Sequence, residues 1–120
     1  MKQFWVPLLL AGQIAAADAP VVRDVTATKS QAGWRFDVTI AHADTGWDHY
    51  ADGWRVEDAS GAVLGLRVLG HPHVAEQPFT RSLSGVVLPN GTTSVFIRSR
   101  CNTDGWSQQV FEVITKSHGL

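Results

Sequence analysis

The sequence predicts an all-β protein, and three features carry that prediction. Apolar residues recur with a period near two through most of the chain, which is the repeat of a half-buried strand. Turn-forming pairs and triplets, Ala32-Gly33, Ser60-Gly61 and Pro89-Asn90-Gly91, punctuate the runs. No window of helical length shows an amphipathic stripe with caps.

Before the strands comes a segment that reads as a secretory signal. Lys2 supplies a positive start, Phe4 to Ala11 an apolar stretch interrupted by Pro7, and Ala15 to Ala17 a small-residue cleavage site. Cleavage after Ala17 makes residues 1–17 a signal peptide and 18–120 a single domain. The apolar stretch is shorter than the ~20 residues of a membrane span, so no membrane insertion is expected. The setting implied is periplasmic or secreted.

Seven extended segments follow. The first covers about Val21 to Lys29. In the second, Trp34, Phe36, Val38, Ile40 and His42 share one face and Arg35, Asp37, Thr39 and Ala41 the other. The third, Trp54 to Asp58, alternates Trp54 and Val56 with Arg55 and Glu57. Ala62 to Leu69, Thr80 to Leu88, Thr93 to Asn102 and Gln109 to Thr115 complete the set. Seven short strands in about 100 residues suggest a seven-stranded antiparallel sandwich of immunoglobulin or fibronectin type III character. A tryptophan opening the third strand suits that core. Cys101 is the one cysteine, which removes the inter-sheet disulfide of antibody domains and favours the fibronectin-like variant.

Composition narrows the function. Without Lys2 the chain holds nine basic and eleven acidic residues, and no basic cluster occurs. Nucleic acid, which demands grouped Lys and Arg, is therefore not an expected partner.

Short and long connections alternate along the chain. If consecutive strands run antiparallel, the long connections 44–53, 70–79 and 103–108 meet at one pole. Loops gathered on a rigid sandwich are where such folds place binding function. His42, His49, His71 and His73 lie in or beside them, with Trp47, Tyr50, Trp54 and Trp106 and the carboxylates Asp44, Asp48, Asp52, Glu76 and Asp104. In His71-Pro72-His73 the proline favours an extended chain, which projects both imidazoles the same way. Imidazole pairs of this kind bind copper or zinc, with carboxylate or water completing the shell. The expected metal ligands are His71 and His73, with His42 or His49 closing the site and Glu76 as a further donor.

The competing reading needs no metal. Trp47, Tyr50 and Trp106 would form an aromatic platform for a glycan, a peptide or a cell-envelope protein, and Arg81, Asp44 and Asp52 would supply polar contacts. Cys101 reads as a buried small hydrophobe more readily than as a ligand. Signatures of catalysis are missing: there is no G-x-S-x-G elbow, and the cupin-like spacing Gly65-x5-His71-x-His73 fails at Glu76.

Two segments, His42-Ala-Asp-Thr-Gly-Trp-Asp-His-Tyr-Ala-Asp-Gly-Trp54 and His71-Pro-His-Val-Ala-Glu-Gln-Pro-Phe-Thr-Arg81, resemble the signature of a family of small exported bacterial proteins of uncharacterised function. The resemblance implies a bacterial, periplasmic setting and carries over no catalytic residue.

Overall fold

The computed structural model describes residues 19–116. The expected signal peptide, residues 1–17, and His118 in the C-terminal tail lie outside the described residues. Within them the chain is all-β, and no helix is long and apolar enough to cross a membrane.

Eight strands form where seven were expected: β1 Val21–Ser30, β2 Gly33–Ala41, β3 Ala51–Glu57, β4 Val63–Val68, β5 Phe79–Val86, β6 Ser94–Cys101, β7 Gly105–Trp106 and β8 Phe111–Ile114. Every pairing is antiparallel. One sheet has the order β1-β2-β5. In the other the order is β4-β3-β6-β7, with β8 also pairing with β6.

The extra strand comes from the last long connection. After Cys101 the chain reverses within a few residues, helped by Gly105 at φ +79°, a backbone region that side chains disfavour. Gly105 and Trp106 then pair back onto Cys101 and Arg100. Ladder pairing resumes only at Phe111 opposite Ile97. Between the two strands the Arg98 guanidinium donates to the Ser107 carbonyl at 2.6 Å, so one sheet flank is held in two pieces.

The two sheets share one core. Phe36, Val38 and Ile40 of β2 meet Trp54 and Val56 of β3 and Val95 and Ile97 of β6, with Phe79 and Val86 from β5. The alternation expected for β2 and β3 holds on the inner side: Trp54 has 0% exposure and its neighbour Arg55 points outward. Glu57 departs from the pattern. It lies on the outer face yet is 3% exposed, because Arg55 and Arg98 fold over it and donate to Oε2 at 2.7 Å each.

Reversal of consecutive strands brings the long connections to one pole, as the alternation of loop lengths predicts. Gln77 Oε1 accepts from the His42 amide at 3.0 Å. Asn102 donates its amide to the Tyr50 carbonyl and receives the Tyr50 amide on Oδ1. The connections after β2, β4 and β6 are thereby tied together.

Candidate metal centre

The pole is organised around a buried carboxylate. His42 follows directly on β2 and keeps the inward phase of that strand. The chain then turns, with the Asp44 amide donating to the His42 carbonyl at 2.8 Å, and the Asp44 side chain folds inside. Its Oδ1 receives His42 Nδ1 at 2.6 Å and the Ala51 amide at 3.0 Å; its Oδ2 receives the His73 amide at 2.8 Å. Burying a carboxylate is costly unless it is richly hydrogen-bonded, and these three donors meet that demand. Asp44, expected from sequence as a polar contact for a bound partner, is buried and pins the end of β2, the start of β3 and the loop after β4.

Asp44 also settles which ring atom of His42 can act. A carboxylate accepts, so Nδ1 carries hydrogen and the lone pair of the neutral ring sits on Nε2. Carboxylate–histidine pairs of this kind hold metal-binding imidazoles in one tautomer and orientation. The His42 side chain is 5% exposed.

His49 and Cys101 converge on the same place. The loop carrying His49 closes through a bridge between Gly46 and His49, with the Thr45 amide on the His49 carbonyl at 3.0 Å. Asn102 Nδ2 donates to the carbonyls of Trp47 at 3.0 Å and Asp48 at 3.3 Å, locking the loop against the end of β6. Cys101 is the last inward residue of β6 and is fully buried. The His42 and His49 rings stand edge to face, centroids 4.8 Å apart. Cys101 Sγ lies 3.7 Å from His49 Nε2. One ligand atom from each of the three residues falls within 4.8 Å of the others. A metal bonded at ~2.0 Å to nitrogen and ~2.3 Å to sulfur holds its ligand atoms within about 4 Å of one another. A small contraction therefore brings all three donors onto one ion.

The sulfur has polar company of its own. It accepts the Asp104 amide at 3.3 Å, and the Thr103 hydroxyl lies 3.4 Å away. Asp104 Oδ2 lies 3.6 Å off as an acceptor for the thiol hydrogen.

The other expected ligands form a separate group on the far side of Asp44. His71 and His73 are adjacent, ring centroids 4.5 Å apart, as the proline-separated pair predicts. His73 is buried and stacks on Phe79 at 3.9 Å, while His71 and Glu76 are exposed. Arg81 donates to His73 Nε2 at 2.9 Å and to Glu76 at 3.4 Å. A guanidinium is only a donor, so Nε2 holds the lone pair and the hydrogen sits on Nδ1. Nδ1 is buried with no partner among the described residues. Burial first, then the positive charge of Arg81, keeps the His73 pKa below its ordinary 6.5.

The expected aromatic platform is divided. Trp47, 66% exposed, meets Tyr50 edge-on at 5.6 Å on the His49 loop. Trp106 lies on the larger sheet beneath the Arg55 guanidinium, 4.0 Å from its ring centroid, with Arg100 at 5.7 Å. Asp52 is paired with Arg100. Trp106 also borders a cleft of about 650 Å³ between the start of β1 and the segment leading into β8, with Pro20, Val22, Ser107 and Phe111 on its walls.

Comparison with known proteins adds one relative. A curated protein of Halomicrobium mukohataei, bearing the name "Putative lipoprotein", is 44% identical to this chain over 96 residues. The match takes in 78% of this chain and 47% of that protein, so the chain spans about half the length of its curated relative. No family model matches the chain, and no solved structure matches it.

Proposed function

We propose that this is an exported, cell-envelope protein that binds a transition metal, copper or zinc, at its loop pole. Export is supported by the lipoprotein name of the relative and by the signal-like first 17 residues. The metal reading rests on one observation: His42 and His49, from the connection between β2 and β3, and Cys101, at the end of β6, present their ligand atoms within 4.8 Å of one another. Ligation is assigned to these three in preference to His71, His73 and Glu76. Arg81 already donates to the lone pair that His73 would offer a metal, and Glu76, which is exposed, pairs with the same guanidinium.

We also assign the sheets to a fibronectin type III-like sandwich. β4 pairs with β3 and not with β5, which separates the fold from immunoglobulin constant domains, where the fourth strand joins the first sheet.

Elemental analysis of untagged protein purified from the cell envelope tests the metal reading. One equivalent of copper or zinc, lost in His42→Ala/His49→Ala and kept in His71→Ala/His73→Ala, is the expected result. Metal retained by the first double variant removes the assignment.

A second reading, an interaction module without metal, is favoured by the exposed Trp47 on its Tyr50 support. It predicts chelator-insensitive binding to a glycan, peptide or envelope protein, abolished by Trp47→Ala.

A further inference from the structure

We infer that the ion held by His42, His49 and Cys101 is monovalent copper; the inference rests on the metal-centre reading above. Three properties of the site point to it: the number of donors, their softness and the treatment of the sulfur.

The converging set is two imidazoles and one thiol. Structural zinc is almost always four-coordinate and tetrahedral, whereas trigonal sites of two histidines and one cysteine are a copper arrangement. The nearest fully buried carboxylate is not available as a fourth ligand. Asp44 spends both oxygens on His42, Ala51 and His73. Drawing it onto a metal would break hydrogen bonds that hold three segments of the pole together.

Softness agrees with donor number. Thiolate sulfur selects monovalent copper and zinc over harder ions. The sulfur has hydrogen-bond donors placed around it: the Asp104 amide donates to it at 3.3 Å, and the Thr103 hydroxyl at 3.4 Å has a hydrogen to give. In the binding step the Cys101 S–H bond breaks, the proton leaves through Asp104 Oδ2 to solvent, and an S–Cu bond forms. Copper keeps its oxidation state, so no electron donor or acceptor is required. Full burial of Cys101 keeps water off the resulting bond.

Asp104 supplies the discriminating residue. It is the carboxylate next to the sulfur and it is exposed. A zinc centre would recruit it as the fourth ligand; a three-coordinate copper centre would not.

The test titrates the metal-free full chain, without oxygen, with copper(I) presented in a chromophoric chelator, and separately with zinc(II). The expected outcome is one equivalent of copper(I) withheld from the chelator and displacement of bound zinc by copper(I). Cys101→Ser should weaken copper binding by more than the ~10–100-fold typical of losing an outer-shell partner, and Asp104→Asn, which removes the proton acceptor beside the sulfur but no ligand, should weaken it far less than Cys101→Ser. X-ray absorption of the copper-loaded wild-type chain should show one sulfur and two nitrogen neighbours, a readout that does not depend on any variant folding. Zinc that resists displacement, or Asp104→Asn as damaging as Cys101→Ser, overturns the copper assignment and leaves the centre standing. Failure of both metals to bind overturns both.

Discussion

The carboxylate of Asp44 lies 2.6 Å from Nδ1 of His42, two residues earlier in the chain, and the same carboxylate receives the His73 amide from 29 residues later. This relationship does two jobs at once. It closes the long loop after β4 onto the end of β2, and it holds the His42 ring in one orientation, edge to face with His49. Asp44→Asn tests both. The amide oxygen can keep two of the three donors, but the NH2 group must then face an N–H. We expect a stability loss of about 1–3 kcal/mol, the cost of leaving a buried donor unpaired, read by urea unfolding. Metal affinity should fall roughly 10–100-fold, the usual consequence of losing an imidazole's orienting partner.

A second carboxylate is placed between like charges. Arg55 and Arg98 are directly opposite each other across β3 and β6, and Glu57 accepts from both. Like charges in register across a sheet destabilise it. Glu57→Gln should cost about 2–4 kcal/mol, below the ~3–5 kcal/mol of fully buried pairs because both arginines reach solvent, and added salt should restore part of it. Asp37→Asn removes a partner of Arg35, whose side chain is 57% exposed. The Arg35 pairing should contribute no more than about 1 kcal/mol. Chemical denaturation of the two variants side by side is the check.

Stability should also depend on pH through His73. Its folded pKa is lowered, so below the ordinary 6.5 the unfolded chain binds a proton that the folded chain refuses. The stabilisation is therefore complete above about pH 6.5 and is lost as pH falls toward the folded pKa, below which the loss levels off. Glu57 and Asp37, whose pKa values are held down by arginine and serine donors, act in a lower window. Their contribution is present above the ordinary 4.5 and 3.8 and disappears as pH drops through their folded values. His73→Phe preserves the stack on Phe79 and removes the upper component alone. The difference in unfolding free energy between wild type and this variant should be flat above pH 6.5 and change below it.

Much of the scaffold was legible because β periodicity is a local signal. Phe36, Val38 and Ile40 announce the inner face of β2 by their spacing, and loop lengths announce the pole. The candidate site was legible only in location. His42 and His49 were candidates, but Cys101 read more readily as a core residue, since its alternation in β6 is the same either way. Its position as the last inward residue, at the pole end, was the available clue. The choice of His71 and His73 followed from a sequence pair whose geometry is indeed adjacent, yet nothing local reveals that Arg81 donates to Nε2. The two-residue strand Gly105–Trp106 was missed because so short a segment carries no alternation. Its pairing is fixed by the turn and by β6.

Gly65 tests how closely the two sheets approach at their shared side. It sits in β4, on an edge of the larger sheet, and β5 forms an edge of the smaller one. A methyl group at residue 65 would come 2.9 Å from Leu83 Cδ2 and 3.2 Å from Val86 Cγ2. The first contact involves the far end of a flexible side chain, which can swing away; the second involves a stiff β-branched residue that is buried in the core. Gly65→Ala should therefore cost about 1 kcal/mol and Gly65→Val up to about 3 kcal/mol, the range for overpacking a filled interior. Leu83→Ala should relieve the alanine variant, so that the double variant is more stable than the two single costs predict. A double-mutant cycle by urea unfolding measures the coupling, and strict additivity would mean that β4 and β5 do not press on each other here.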